Sequence, residues 1–263
     1  MTTLIGISGP IAAGKSTLAK GIKRIMKYRY YNAEIIPFAT GLKYLGSLHD
    51  NPDKMQLANQ YFLDLGYAPY IAALGTEALL DAFRRFPVEA GVKPRQLYQY
   101  IGTEIGRQLI EPDIWIKAVK LQVQRMTQKP HFVLIDDMRF INESEQVDIH
   151  VGITMVTPSA QAAYKARQSL YPAEYFYSDH QSEKERDQLL APHFMIETDF
   201  SVDAVADLVE SLTEYANQLN MPVQLTDRYF AREFINYGEF YPNRIVSSGN
   251  PSLFNLKKYS KGE

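Results

Sequence analysis

The chain has 263 residues and a formal net charge of −2, with 46% hydrophobic and 22% charged residues, the balance of an ordinary globular protein. Its near-neutral charge excludes a general attraction to nucleic acid or to an anionic membrane surface, and no apolar run approaches the ~18 residues that span a bilayer. The lack of cysteine excludes disulfides, thiolate-bound zinc and a thiol nucleophile and, with a first strand beginning just after the initial residues, favours a cytoplasmic protein.

The first predicted elements are an apolar strand over residues 4–8 and a helix over 17–28, with a glycine-rich loop between them. The loop, residues 9–16, matches the pattern G-x-x-x-x-G-K-[ST], and its place between a strand and a helix is the context in which that pattern binds nucleotide phosphates. Lys15 would reach the β- and γ-phosphates, and the Ser16 hydroxyl would ligate Mg²⁺. The residues expected to contact the nucleotide are Gly9, Ala12, Ala13, Gly14, Lys15, Ser16 and Thr17.

Strands and helices alternate along much of the remaining chain, which predicts an α/β fold with a central parallel sheet covered by helices on both faces. A mostly helical region that runs to about residue 128 interrupts the alternation. Its part from 46 to 94 contains several Pro and Gly breakers and is typical of an insertion that closes over a substrate. The other predicted elements are strands at 34–38, 131–136, 152–156 and 193–197, helices near 142–148, 159–169 and 202–218, and a polar loop at 171–187.

Residues 95–109 predict a helix with two distinct faces. One face is apolar and expected to be buried. The opposite face carries two arginines, an amide and a hydroxyl, which together are able to clamp a phosphate and to hydrogen-bond a base or a sugar. The same pattern also fits a solvated polar face. Gly102 and Gly106 each cost roughly 1 kcal/mol of helix stability relative to Ala, which indicates close approach by a ligand or another backbone. The predicted buried positions are Leu97, Ile101, Ile105 and Leu109, and the polar ones are Arg95, Gln99, Thr103 and Arg107.

Two carboxylates and an arginine mark the end of the predicted strand at 131–136. In open α/β sheets, ligands collect at the carboxyl ends of the strands, the edge where residues 9–16 also lie. Asp136 or Asp137 would hold Mg²⁺ there for phosphoryl transfer, although aspartates at such a position also cap turns. Arg139 would bind an anion or form a structural ion pair.

The last segment, residues 219–263, is rich in tyrosine and phenylalanine. So many aromatic rings would not be left in water, so we expect this C-terminal arm to pack against the core or against a second subunit. The second arrangement would make the protein a homodimer.

Together these segments resemble the bacteriophage-type deoxynucleoside monophosphate kinases, a branch of the P-loop nucleotide kinases, over roughly residues 4–215. Beyond the loop, five segments carry the resemblance. They are residues 38–43 (F-A-x-x-L-K), 95–107 (R-x-L-x-Q-x-x-G-T-E-x-G-R), 113–115 (D-x-W), 137–143 (D-x-R-F-x-N-E) and 180–183 (H-x-S-E).

The resemblance implies a P-loop kinase domain over residues 1–218, with the substrate-binding insertion at 46–94 and a lid at 158–190. It implies transfer of the γ-phosphate of ATP, with Mg²⁺, to a (deoxy)nucleoside monophosphate, in nucleotide supply for DNA synthesis and in the host cytoplasm if the protein is viral. With the clusters above, it gives as catalytic residues Lys15, Asp137, Arg139 and Arg167, and as metal ligands Ser16, Asp136 and Asp137. The substrate contacts are Lys43, Arg95, Gln99, Thr103, Arg107, Trp115, Arg139, His180 and Glu183.

The chain departs from the family at two places. The turn after the strand at 193–197, where the family has N-D-G, is Thr198-Asp199-Phe200, so the adenine contact of that turn is not implied here. No arginine follows the strand at 152–156 directly, so Lys165 or Arg167 would supply the positive charge of the lid.

Other classes of nucleotide-binding protein also fit the loop. A dephospho-coenzyme A kinase-like enzyme and a nucleoside kinase are the nearest, and the latter needs a carboxylate base beside the hydroxyl that it phosphorylates. A nucleotide-dependent switch is less well supported, because the chain lacks the N-K-x-D run that reads guanine and the L-S-G-G-Q signature.

Overall fold

The computed structural model describes residues 2–48, 55–67, 81–82, 94–170, 185–198, 200–219 and 257–258. The chain divides into two compact units. The sheet unit comprises residues 1–37 and 128–263, and the helical unit comprises residues 38–127. None of the described helices is long and apolar enough to cross a membrane.

The described elements follow one another in an order that places strands only in the sheet unit. In chain order they are β1 (Thr3–Ser8), α1 (Lys15–Tyr28), β2 (Ala33–Ile35), α2 (Ala39–Leu48), α3 (Met55–Asp64), α4 (Pro94–Tyr100), a π-helix (Ile101–Ile110), α5 (Ile114–Arg125), β3 (Phe132–Ile135), α6 (Ile141–Glu145), β4 (Ile149–Thr154), α7 (Pro158–Gln168), a 3₁₀-helix (Glu185–Gln188), β5 (Phe194–Glu197), α8 (Val202–Gln218) and β6 (Lys257–Lys258).

The sheet has the strand order β2-β3-β1-β4-β5-β6. Strands β1 to β5 are all parallel to their neighbours, and β6 pairs antiparallel with β5 at the edge. Because parallel neighbours need crossover connections, helices separate most of these strands along the chain. The predicted α/β class and the predicted parallel sheet are confirmed.

Helices α1 and α8 pack against each other and, through one shared core, against the sheet. The apolar positions of α1 fall on one helical face, and Leu18, Ile22, Ile25 and Met26 are all buried, as their spacing predicts. Helix α8 begins at the N-cap Ser201, whose side-chain oxygen accepts a 3.2 Å hydrogen bond from the Ala204 amide. Burial of the apolar face of α1 therefore fixes the position of this helix, which begins at the glycine-rich loop.

Two predicted strands are shifted in the structure. β4 covers Ile149–Thr154 rather than 152–156, because its register on β1 starts with Ile149 opposite Ile5, and Val156 is 64% exposed. β2 covers Ala33–Ile35 rather than 34–38, since only those three residues pair with β3.

The predicted helix at 95–109 is present, but its second half is a π-helix rather than the α-helix on which the predicted faces were based. There backbone hydrogen bonds span five residues, as in the 2.9 Å bond from the Glu111 amide to the Gly106 carbonyl. The wider turn moves the buried positions, so Leu109 is 37% exposed and Ile110 is buried in its place. A π-helical segment of this kind often marks a functional site.

Candidate functional site

The glycine-rich loop, residues 9–16, joins the carboxyl end of the central strand β1 to the start of α1. Its backbone turns through left-handed conformations at Ala12 (φ 65°) and Gly14 (φ 90°). A Cβ atom on Gly14 would also stand 2.9 Å from Phe200 Cε2, so both its conformation and its surroundings require glycine. The sequence thus places glycine where the loop needs it.

The loop presents positive charge and helix amides at one place. Lys15 Nζ donates 2.8 Å hydrogen bonds to the carbonyl oxygens of Gly9 and Pro10, which fold its side chain back over the loop. Ser16 and Thr17 are exposed in the first turn of α1, and that turn contains no acidic residue to neutralise the helix N-terminus. A helix N-terminus beside a lysine is suited to binding an anion such as a phosphate.

Two side chains from elsewhere in the sheet unit donate hydrogen bonds to backbone carbonyl groups of the loop. Thr198, buried after β5, donates a 2.6 Å hydrogen bond from Oγ1 to the carbonyl oxygen of Ala13. Arg167 on α7 donates from Nε to the carbonyl oxygen of Ala12 at 3.0 Å, and from Nη2 to both oxygens of Thr198. The Thr198 turn therefore contacts the loop itself, while Asp199 lies outside the described residues.

The two predicted carboxylates follow β3 at the same edge of the sheet as the loop. Gly6 pairs with Ile135, so Asp136 and Asp137 come directly beyond the paired residues, beside the end of β1. Both are half-buried. Across the described residues no group of three or more His, Cys, Asp and Glu is arranged to hold a metal ion. Mg²⁺ at a nucleotide site needs fewer, because phosphates and water supply its other ligands.

Glu143, to which sequence reasoning assigned no role, fixes the segment that carries Arg139. Its buried carboxylate accepts hydrogen bonds from the backbone amides of Arg139 at 2.7 Å and Phe140 at 3.0 Å. These bonds cap α6 in the manner of a capping box, whose glutamate at the third helical position is visible in the sequence. Arg139 is consequently held at the β3 end by its main chain.

Sequence analysis did not identify a pair of buried histidines that lies beside the end of β1, where the loop begins. Ser8 Oγ, at the end of β1, lies 2.7 Å from His150 Nε2, and the His150 amide donates to His193 Nδ1 at 2.9 Å. Burial, reinforced by His193, lowers the pKa of His150 from 6.5 to about 4, so the ring is neutral at pH 7. No local pattern reveals a contact between residues 142 positions apart in the chain.

The helical unit contains most of the predicted acceptor residues. Lys43 is exposed on α2, whereas Thr103 is buried in the π-helix, so the predicted polar face is not fully solvated. Arg107 Nη1 donates a 2.9 Å hydrogen bond to the carbonyl oxygen of Pro112. Gln99 Nε2 on α4 is buried and has no hydrogen-bond partner among the described residues. A buried donor left unpaired is costly, and a ligand is one way to satisfy it.

Trp115 on α5 is buried against the π-helix. Its Nε1 donates a 2.9 Å hydrogen bond to the carbonyl oxygen of Gly102, and its ring occupies the space beside Gly106. The close approach expected at Gly106 is thus made by a side chain, and at Gly102 by Leu42, rather than by a ligand or another backbone.

A pocket of about 530 Å³ lies among α2, α3 and α5 in the helical unit. Its walls are largely apolar and aromatic, and Tyr44 and Tyr61 lie with ring centroids 5.6 Å apart. Burial, with a contribution from Tyr44, raises the pKa of Tyr61 to about 12, so its hydroxyl stays protonated. The lining residues include Phe38, Thr40, Gly41, Tyr44, Gln60, Tyr61, Asp64, Gln122 and Arg125.

Some predicted site residues fall outside what the structure describes. His180 and Glu183 of the predicted lid, and most of the C-terminal arm, lie beyond the described ranges, as do parts of the insertion at 46–94. Arg95 lies in the first turn of α4, but its side chain is not among those described.

The chain is similar to the deoxynucleoside-5'-monophosphate kinase of Escherichia phage T5, with 37% identity over 76 residues. The match covers 27% of this chain and 30% of the length of that protein. No family model matches the chain. The matched residues thus span less than a third of the phage T5 kinase.

Proposed function

We propose that the protein has the P-loop kinase fold and transfers the γ-phosphoryl group of ATP to a (deoxy)nucleoside monophosphate, giving ADP and the diphosphate. The geometry of the glycine-rich loop carries the proposal, since Lys15 and the N-terminus of α1 converge where phosphate would bind. The partial likeness to the phage T5 kinase supports the acceptor class.

On the donor side, loop amides and one cation would hold the triphosphate. Lys15, now bonded to two loop carbonyls, would turn to the β- and γ-phosphates when these compete for its ammonium group. Ser16 and one of Asp136 and Asp137 are oxygen donors of the kind Mg²⁺ prefers, and the ion would neutralise charge on the transferred group. The other donor contacts would be Gly9, Ala12, Ala13, Gly14 and Thr17.

On the acceptor side, the proposal draws on Gln99, whose Nε2 has no hydrogen-bond partner in the part of the chain that the structure describes. A phosphate, sugar or base of the monophosphate has acceptors that would satisfy the buried Nε2 group. Trp115 supports this region through its hydrogen bond to Gly102. The remaining acceptor contacts would be Lys43, Arg95, Thr103, Arg107, Arg139, His180 and Glu183.

The chemistry would need no general base, because the acceptor's phosphate oxygens are already anionic. Catalysis would consist of positioning and of neutralising charge on the moving phosphoryl group. Lys15 and Arg139 or Arg167 would supply positive charge for that purpose. Exclusion of water would prevent hydrolysis of ATP in place of transfer.

A panel of acceptors tests the proposal. The protein is incubated with ATP and Mg²⁺ and with each nucleoside monophosphate, deoxynucleoside monophosphate, nucleoside and dephospho-coenzyme A in turn, and the phosphorylated products are counted. Diphosphate formed from a monophosphate is the expected result. Product from nucleosides or dephospho-coenzyme A alone would move the protein to another kinase class, and ATP hydrolysis indifferent to every acceptor would indicate a switch.

A further inference from the structure

A buried hydroxyl group in the turn that follows β5 is hydrogen-bonded to the glycine-rich loop. Thr198 is fully buried, and its Oγ1 donates a 2.6 Å hydrogen bond to the carbonyl oxygen of Ala13. The same threonine accepts two hydrogen bonds from Arg167 Nη2, one at its carbonyl oxygen, at 3.0 Å, and one at its hydroxyl oxygen. Arg167 Nε in turn donates to the carbonyl oxygen of Ala12 at 3.0 Å. Two successive loop carbonyls, those of Ala12 and Ala13, are therefore held by hydrogen bonds from side chains outside the loop.

The direction of a carbonyl fixes the direction of the next amide. A trans peptide is planar, so the Ala13 carbonyl and the Gly14 N–H point to opposite sides of the chain. While Thr198 holds the Ala13 carbonyl, the Gly14 amide is turned away from Thr198, at the position directly before Lys15. Ala12 needs such support most, because a residue with a Cβ atom rarely adopts φ near 65°.

We propose that Thr198 is a positioning residue for the phosphate donor. Its hydroxyl orients the loop amide of Gly14 toward the nucleotide before the nucleotide binds, with Arg167 as the second member of the brace. This inference rests on the proposed function, since it concerns the same loop. It assigns to the Thr198 turn a part in holding the loop, by hydrogen bonds that the aliphatic isostere of threonine is unable to make.

Thr198→Val tests the role, with Thr198→Ser as its matched control. Valine keeps the volume of threonine and removes the hydroxyl group, leaving the Ala13 carbonyl without its donor. Serine keeps that donor. We expect Thr198→Val to weaken binding of Mg²⁺-ATP about tenfold, or about 1.4 kcal/mol, and Thr198→Ser to bind within about twofold of wild type. KM for the monophosphate acceptor should stay unchanged in both.

Amide hydrogen exchange in the nucleotide-free protein gives a readout that does not depend on activity. The exchange of the Ala13 amide, which donates a 3.2 Å hydrogen bond to the carbonyl oxygen of Pro10 within the loop, should become faster in Thr198→Val and remain as in wild type in Thr198→Ser, because only the valine variant releases the loop. If Thr198→Val does not fold, Arg167→Lys carries the same measurement, since lysine lacks the fork that bridges Ala12 and Thr198.

The outcomes distinguish failure of the proposed nucleotide site from failure of the positioning role of Thr198. Wild-type protein that binds no Mg²⁺-ATP overturns the donor site and the positioning role together. Wild-type protein that binds nucleotide, with Thr198→Val equal to it in affinity and in the exchange of the Ala13 amide, overturns the positioning role alone. An increase in KM for the acceptor as large as that for ATP also contradicts it, because a general structural defect would act on both substrates.

Discussion

Trp115 lies so close to Gly106 that a Cβ atom on Gly106 would stand 2.4 Å from Trp115 Cζ2. The ring is buried, and its only N–H group is bonded to the carbonyl oxygen of Gly102. The glycine thus allows α5 and the π-helix to approach each other, and its cost in helix stability is offset by the packing of a large aromatic side chain.

Gly106→Ala should therefore destabilise the helical unit by about 1–3 kcal/mol, the usual effect of forcing extra volume into a packed core. Denaturant unfolding followed by tryptophan fluorescence measures it directly, because Trp115 is the single tryptophan of the chain. Gly102→Ala is the control. Its Cβ would meet the two terminal methyl groups of Leu42, the nearer at 3.0 Å, and a side-chain end of this kind can move. Equal losses in the two variants would show that the Trp115 contact is not what requires glycine.

Gln99→Met separates a ligand-binding role of Gln99 from a structural one. Methionine has nearly the length of glutamine and no polar atoms to leave unpaired, so the free energy of unfolding should be unchanged or slightly higher. KM for the monophosphate should rise about tenfold, the effect of losing one buried hydrogen bond to an anionic or polar ligand, while KM for ATP stays the same.

Gln96→Met, on the exposed part of the same helix, provides the comparison for Gln99→Met. It should leave KM unchanged and alter stability by no more than about 0.5 kcal/mol, because its side chain is exposed. A clear loss of stability in Gln99→Met with an unchanged KM for the monophosphate would make the glutamine a part of the core packing.

The sequence predicted the sheet unit well because its signals are local. The buried face of α1 follows from residues spaced three and four apart, and the loop pattern falls between a strand and a helix as its chemistry requires. The error at β4 arose where Met155 and Val156 continue an apolar run beyond the last paired residue, Thr154. An apolar sequence does not by itself show at which residue the pairing with a neighbouring strand ends.

The helical unit was predicted less well, for a different physical reason. A helix of 3.6 residues per turn is the template for periodicity, and a π-helix breaks that period without any change in residue type. Leu109 was consequently assigned to the buried face that Ile110 occupies. The contact between Ser8 and His150 is long-range and could not be found from spacing at all.

Lys15→Met should reduce phosphoryl transfer about 100-fold or more, because it removes the cation that would stabilise charge on the transferred group. The fold should remain, since the side chain gives up hydrogen bonds to two carbonyls of its own loop, and the free energy of unfolding should change by no more than about 1 kcal/mol. Initial rates with ATP and the best acceptor measure the effect. Lys20→Met, exposed further along α1, removes the same charge and should leave the rate unchanged. Comparable losses in the two variants would point to net charge rather than to the loop.

The buried ring of His150 predicts a specific dependence of stability on pH. Its pKa is about 4 in the folded protein because burial, and then the neighbouring His193, disfavour the charged form, whereas the unfolded chain has the ordinary value of 6.5. Between these two values the unfolded state binds the proton and the folded state does not. The contribution of His150 to the free energy of unfolding is therefore fully present above pH 6.5. It is lost as the pH is lowered toward 4, by roughly 3 kcal/mol in all.

His150→Gln isolates that contribution, because glutamine keeps a polar group beside Ser8 and does not titrate. Free energies of unfolding are measured for both proteins at intervals from pH 7.5 to pH 4. The titration of the carboxyl groups is common to both proteins and cancels in the difference. The advantage of wild type over the variant should shrink steadily below pH 6.5, following the protonation of a single group. A difference that stays constant over this range would mean that His150 is protonated as readily in the folded protein as in the unfolded chain.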